Sequence, residues 1–199
     1  MFYIGVDLGK THDYTAIAVI EKETPLQVNQ RNYFAPGASP LPQLLVRRLE
    51  RVPLGTSYPR IVAHIRAITH APPLAGHCAL VVDATGLGAP VVDMLREPGT
   101  GCDITAVTVT GGERVSRRGL MHFGVPRRDL IAGVQLALEQ GRLRISGHLH
   151  EGPALGRELL AMRAGCATSE HDDLVFAVAL ACWRAHRKSV WGGGRLPGI

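Results

Sequence analysis

Four aspartates occupy positions from which their carboxylates could act together. Asp7 ends the first apolar run of the chain, FYIGVD, and Asp83 ends a second, almost continuous run, HCALVVD. Asp172 and Asp173 come directly before the apolar run LVFAVALACW, where a helix is expected to begin. An aspartate at a helix start caps free amide groups and suits the positive end of the helix dipole. Capping alone therefore explains the last pair, unless other carboxylates point to the same place.

The two aspartates at strand ends define such a place. In open α/β sheets, reactive groups collect at the carboxyl ends of neighbouring strands, which is where Asp7 and Asp83 are expected. A helix packed against this edge would bring Asp172 or Asp173 beside them. Such a cluster repels itself unless cations fill it, and carboxylate oxygens suit Mg²⁺ or Mn²⁺. Two ions about 3.5–4 Å apart can activate a water and stabilise the leaving oxygen of a phosphodiester, so the pattern predicts nuclease chemistry.

Apolar periodicity predicts the strands and helices that must position these residues. In chain order, the predicted elements are strands at residues 2–8, 14–21 and 26–34, a short helix within 41–52, a helix at 58–70, a strand at 77–83, a helix at 91–96, a strand at 104–109, a polar and basic connection at 111–124, a helix at 126–140, a short strand at 143–145, and helices at 155–162 and 174–187. This order predicts an α/β fold. Its mixed central sheet has three antiparallel strands first and parallel strands after them, with helices on both faces.

Composition limits the classes of protein that the chain can belong to. The 199 residues, 46% of them hydrophobic, suffice for one domain with a sizeable core, expected over 1–188 with a flexible tail at 189–199. No run approaches the ~18 uninterrupted apolar residues of a membrane helix, and no signal peptide is evident, so we expect a cytoplasmic protein. The four cysteines form no C-x-x-C pair, which argues against a zinc or disulfide framework. The net charge of +5 favours an acidic partner.

Basic and polar residues near the expected cluster are candidates for binding DNA or supporting the metal site. Phosphate contacts from arginine are independent of DNA sequence and make binding sensitive to salt. A solvated basic face explains the arginines equally well. His171 and Asp13 could act behind the metal ligands, although local hydrogen bonding and a turn explain them more simply. The candidate DNA-binding residues are Arg114, Arg117, Arg118, Arg127 and Arg128.

Four stretches resemble, in the same order, the sequence blocks of one known family. They are FYIGVDLGKTHDYT at 2–15, VVDATGLGAPVVDML at 81–95, VPRRDLIAGVQLALEQGRLR at 125–144 and HDDLVFAVALACW at 171–183. Together they resemble the nuclease domain of bacteriophage terminase large subunits, in the RNase H/RuvC-like superfamily. The resemblance implies an RNase H-like fold and metal-dependent cleavage of double-stranded DNA, as when concatemeric phage genomes are cut for packaging.

The resemblance also implies roles for individual residues. By matching position, Asp7 is the metal ligand of the first strand, and Asp83 is the second, bridging or flanking two Mg²⁺ or Mn²⁺ ions. Asp172 and Asp173 supply the third ligand, with Asp173 slightly favoured. The implied partners are double-stranded DNA, a separate packaging ATPase, the small terminase subunit and the portal, in a bacterial host of a phage or prophage.

Two features depart from a complete terminase large subunit. The sequence has no G-x-x-x-x-G-K-[ST] phosphate loop, so we expect a nuclease domain that is isolated or encoded separately from the ATPase motor. The segment between Met162 and His171 is short where similar domains often carry a longer hairpin beside the active site.

Three other functions remain open at this point. A junction resolvase for branched DNA would share the fold and the carboxylates. A DNA-binding module could keep the fold without turnover. An actin-like or sugar-kinase-like ATPase would use DLGKT and DATG as phosphate loops, but such proteins need two lobes around the nucleotide, and 199 residues are too few.

Overall fold

An eight-stranded mixed sheet lies at the centre of the protein. The computed structural model describes residues 1–9, 13–23, 41–86, 88–97, 99–163 and 172–187. The strands are β1 (Phe2–Asp7), β2 (Thr15–Glu23), β3 (Gln43–Val52), β4 (Cys78–Asp83), β5 (Asp103–Thr110), β6 (Ser116–Gly119), β7 (His122–Pro126) and β8 (Leu143–Ile145). The helices are α1 (Tyr58–His70), α2 (Gly88–Arg96), α3 (Arg127–Glu139), α4 (Gly152–Arg163) and α5 (Asp173–His186).

The strand order across the sheet is β6-β7-β5-β4-β1-β2-β3-β8. β1, β2 and β3 pair antiparallel, whereas β4, β5 and β7 continue from β1 as parallel neighbours. At the two edges, β8 pairs parallel with β3 and β6 pairs antiparallel with β7. The predicted fold class, a sheet with three antiparallel strands first and parallel strands after them, is therefore confirmed.

Helices cover the sheet on both faces. α1 and α2 pack on one face, where Ile4 and Val6 of β1 join their core. α3, α4 and α5 pack on the other face, together with Tyr3. Because α5 lies between the sheet and the other two helices, it is buried on nearly every side and needs apolar residues all round. This explains why its sequence lacks a polar stripe.

The prediction of a short helix within residues 41–52 was wrong, because this segment is strand β3. Its buried residues Val46, Leu49 and Val52 are three apart, a spacing typical of a helix. A β-bulge explains the first interval: Ile20 pairs with Val46 and Val19 with Arg48, so one extra residue lies between them, and Val46 and Leu49 face the same core. The second interval arises because Val52 is buried in the core on the opposite face of the sheet. A bulge inserts a residue without ending the strand and breaks the two-residue alternation. The strand predicted at 26–34 lies outside the described residues.

The connection predicted at 111–124 contains two strands that the sequence did not reveal. β6 reads SRRG and is exposed throughout, so it has no apolar alternation. β7 is short and contains a glycine and a proline, which normally argue against a strand. The remaining predicted elements agree with the structure to within a few residues at their ends.

Two further expectations from composition can be compared with the structure. Cys78, Cys102 and Cys182 carry free thiols, and Cys166 lies outside the described residues, as does the tail at 189–199. Within the part of the chain that the structure describes, no helix is both long and apolar enough to cross a bilayer.

Candidate active site

Asp7 and Asp83 lie side by side at the carboxyl edge of the sheet. β1 and β4 are parallel and their last paired residues are Val6 and Val82, so the next position on each strand carries the aspartate. Both carboxylates are partly buried. Burial raises the pKa of Asp83, although hydrogen bonds from the Thr85 hydroxyl and amide act to lower it. The amide of Thr85 donates to Asp83 Oδ1 at 2.8 Å.

Helix α5 brings Asp172 and Asp173 to the same edge. The helix crosses β1 at Gly5, where a Cβ atom, if one were present, would lie 1.9 Å from the carbonyl oxygen of Ala177. The pKa of Asp7 is raised well above its usual value, first by burial and then by the charges of the other three aspartates. Asp83, Asp172 and Asp173, all predicted from the sequence, therefore lie close enough to Asp7 to act on it electrostatically.

Each aspartate at the start of α5 is paired with an arginine. Arg127 donates from Nη2 to Asp172 Oδ2 at 2.5 Å, and its guanidinium lies 4.2 Å from the ring centroid of Phe176. Arg51 donates from Nε to Asp173 Oδ2 at 2.7 Å. The side chains of the first pair are 57% and 39% exposed, whereas those of the second are 18% and 7% exposed. The ion pair between Arg127 and Asp172 is therefore more accessible to solvent, and its arginine is more easily replaced by another cation.

Arg51 and Glu158 are site residues that sequence reasoning missed. Glu158 lies on α4, is 5% exposed, and accepts a hydrogen bond from Arg51 Nη2 through Oε1. Burial raises its pKa to about 7. Arg51 falls within the segment predicted as a helix, and Glu158 resembles an ordinary polar residue on an amphipathic helix. The only sequence signal is a carboxylate in GRELLAM next to the apolar residues of the helix, which is weak.

The chemistry of this donor set fits a hard divalent cation. All donors are carboxylate oxygens, which Mg²⁺ and Mn²⁺ prefer, and the repulsion that raises the pKa of Asp7 is the kind that a bound cation relieves. Among the described residues, however, no three histidine, cysteine, aspartate or glutamate side chains converge closely enough to hold one ion. Arg51 and Arg127 neutralise two of the carboxylates in this arrangement.

A basic groove opens beside the carboxylates. It has a volume of about 580 Å³ and runs between the end of β5 and the start of α3. Arg127 and Arg128 line it, and Arg128 Nη2 donates to the carbonyl oxygen of Glu113 at 2.8 Å. Arg127 also contacts Asp172, so one residue that lines the groove is paired with a carboxylate of the cluster.

The other candidate residues are placed less closely around the cluster. Arg114, Arg117 and Arg118 are exposed on and just before β6, at the edge of the sheet. Asp13 is exposed between β1 and β2, and its charge is not among those that shift the pKa of Asp7. His171 lies outside the described residues.

Comparison with solved structures identifies the fold. The nuclease domain of the human cytomegalovirus terminase, soaked with Mn and bound to an inhibitor, matches with a TM-score of 0.51 and 14% identity over 92% of this chain and 83% of that one. The nuclease domain of the large terminase from bacteriophage SPP1, with bound Mn, matches with a TM-score of 0.53 and 12% identity over 92% and 86%. The chain has the RNase H-like fold.

The resemblance seen in the sequence is thus confirmed at the level of the RNase H-like fold. Thermus thermophilus RuvC in complex with a Holliday junction substrate also matches, with 16% identity over 93% of each chain but a TM-score of only 0.34. No protein-family model matches the sequence, and no curated protein does.

Proposed function

We propose that the chain is a metal-dependent endonuclease that cleaves double-stranded DNA by two-metal-ion hydrolysis of a phosphodiester. The observation that supports this proposal is that Asp83, Asp172 and Asp173 all lie close enough to Asp7, at one edge of an RNase H-like sheet, for their charges to raise its pKa. The adjoining basic groove supports DNA as the substrate. Cutting of concatemeric phage DNA during packaging, in the cytoplasm of a bacterial host, is the role that the sequence resemblance suggests.

Asp7 and Asp83 are proposed to hold the ions from the two central strands. For the third ligand, the contacts support Asp172 more than Asp173, although the sequence slightly favoured the latter. An exposed ion pair contributes only about 0.2–1 kcal/mol, so a cation can replace Arg127 at Asp172 at small cost. Removing one partner from a buried pair costs about 3–5 kcal/mol, which argues that Asp173 stays with Arg51.

The remaining residues bind and orient the DNA. When bound, two Mg²⁺ or Mn²⁺ ions supply an activated water and stabilise the leaving oxygen. Arg127 and Arg128, which line the groove, are proposed to contact phosphates, and the exposed residues Arg114, Arg117 and Arg118 to extend the positive surface towards the sheet edge. Such contacts fix the position of the duplex without reading its sequence. Thr85 holds the orientation of Asp83 from behind through its hydrogen bonds.

A plasmid-cleavage assay tests this proposal. Supercoiled DNA is incubated with the wild type, Asp83→Ala or Asp93→Ala in Mn²⁺, Mg²⁺ or EDTA. Asp93 lies on α2 with its side chain 76% exposed, so its variant makes the same chemical change away from the cluster. We expect cleavage with Mn²⁺ or Mg²⁺ by the wild type and by Asp93→Ala, loss of cleavage in Asp83→Ala, and none in EDTA.

The outcomes distinguish the alternatives. Cutting that resists EDTA, or that is undiminished in Asp83→Ala, would exclude the proposed mechanism. Salt-dependent DNA binding without cleavage under any metal would indicate a non-catalytic DNA-binding module. Preferred cleavage of a four-way junction over linear duplex, tested with matched oligonucleotides, would indicate a resolvase. ATP hydrolysis by the pure protein would favour the ATPase alternative.

A further inference from the structure

The start of α5 receives its cap from another helix. Asp172 occupies the N-cap position, but its side chain makes no capping hydrogen bond. The amide of Val175, in the first turn, instead donates to Glu158 Oε2 of α4 at 3.0 Å. Both residues are buried, so this amide would otherwise lack a partner in the core. Glu158 therefore performs the task that an aspartate at the N-cap normally performs.

The second oxygen of Glu158 holds the arginine that anchors Asp173. Oε1 accepts from Arg51 Nη2, and the same guanidinium donates from Nε to Asp173 Oδ2 at 2.7 Å. Glu158 thus contacts α5 twice, directly at a backbone amide and indirectly through Arg51. Because Arg51 is bound on two edges by buried carboxylates, its position is fixed relative to both helices.

This arrangement removes a conflict at Asp172. A capping side chain folds back onto the first turn of its own helix, whereas a metal ligand must face away towards Asp7 and Asp83. Asp172 and Asp173 also repel an ionised Asp7, which disfavours holding the start of α5 close to the strand ends. An anchor outside the cluster can oppose this repulsion without using either aspartate.

We propose that Glu158 is a positioning residue, which caps α5 and holds Arg51 so that Asp172 and Asp173 stand correctly for binding a cation. The inference rests on the proposed function, because it concerns the metal site of that nuclease. Glu158 acts through its neighbours and is not itself a ligand.

Binding of Mn²⁺ without DNA tests the proposal. Isothermal titration calorimetry compares the wild type with Glu158→Ala, Glu158→Gln and Glu151→Ala, below the unfolding temperature of each protein. Glu151 provides the matched control, since its Oε2 lies 3.7 Å from Arg51 Nη1. Loss of a residue that orients metal ligands typically weakens metal affinity about 10–100-fold, and we expect this for Glu158→Ala. Glu151→Ala should bind as the wild type does.

Glu158→Gln separates the capping hydrogen bond from the negative charge of the side chain, because it removes only the charge. Its amide oxygen can still accept from Val175, so this variant should bind Mn²⁺ more tightly than Glu158→Ala. Equal weakening in the alanine and glutamine variants would show that the cap at Val175 does not contribute, and equal weakening in Glu151→Ala would show an effect of charge alone. Either result would overturn the proposal. Unchanged affinity in Glu158→Ala would overturn it as well.

Amide hydrogen exchange provides a second measurement that does not need the metal. In the metal-free protein, Glu158→Ala should speed exchange at Val175, whereas Glu151→Ala should leave it unchanged. Unchanged exchange in both variants would refute the capping role. A wild type that binds no Mn²⁺ would refute the metal mechanism and this role with it, whereas a wild type that binds normally beside unaffected variants would refute the role of Glu158 only.

Discussion

Gly5 is the position where a single added carbon should separate the two halves of the site. β1 carries Asp7 and α5 carries Asp173, and the two elements touch at Gly5. In Gly5→Ala, the new side-chain carbon would lie 1.9 Å from the carbonyl oxygen of Ala177, whereas ordinary contact begins at 3.4 Å. The helix must therefore retreat by about 1.5 Å, because backbone cannot yield as a flexible side chain can.

The expected cost falls on both stability and activity. Overpacking of a core costs about 1–3 kcal/mol, which lowers the unfolding midpoint by roughly 2–12 °C in a chain of this size. A displacement near 1 Å in a catalytic constellation can reduce the rate about 100-fold, so cleavage should fall further than the loss of folded protein explains. Thermal unfolding and plasmid cleavage, measured on the same samples, check both effects.

Gly133→Ala is the control for this experiment. Gly133 lies on α3, and a side-chain carbon there would meet nothing within 4 Å. Alanine is the better helix former by about 0.5–1 kcal/mol, so this variant should be slightly more stable and equally active. A Gly5→Ala protein with the midpoint and cleavage rate of the wild type would refute the close packing of α5 on β1.

Two further predictions concern the charges of the site. In EDTA at pH 8, Asp7→Asn should have a higher thermal unfolding midpoint than the wild type. The difference between the two midpoints should narrow as the pH is lowered towards 5. The raised pKa of Asp7 means that folded protein holds the proton more tightly, so wild-type stability falls as pH rises from about 4 through the folded pKa. Arg127→Ala should reduce the slope of log binding constant against log salt concentration for DNA by about 0.9, because one phosphate contact is lost. It should also tighten Mn²⁺ binding measured without DNA, because Asp172 loses a competing cation.

Each of these predictions has a clear contrary result. A constant stability difference between the wild type and Asp7→Asn from pH 5 to pH 8 would show that Asp7 does not titrate abnormally. For Arg127→Ala, the matched control is Arg60→Ala, an exposed arginine on α1, on the opposite face of the sheet. If both variants changed the salt dependence of DNA binding equally, the groove would not be the surface that contacts DNA.

Sequence patterns were informative wherever a residue's surroundings depend on its near neighbours. The apolar run ending in Asp83 predicted a central strand, and the run after Asp173 predicted a buried helix, because periodicity and burial are local properties. Once both strands were predicted to be parallel, the shared edge for Asp7 and Asp83 followed from topology. The bulge in β3 and the polar strand β6 lacked such a signal, since only pairing with a neighbouring strand stabilises them.

The support around the four carboxylates was decided by tertiary structure alone. Arg51 meets Asp173 across 122 residues and Glu158 across 107, and no local pattern carries information over such separations. The sequence by itself determined that Asp172 and Asp173 start a helix, and it left open which of them caps that helix. In the folded protein the cap comes from Glu158, because packing of α4 against α5 places a buried carboxylate at the amide of Val175, which has no acceptor within its own helix.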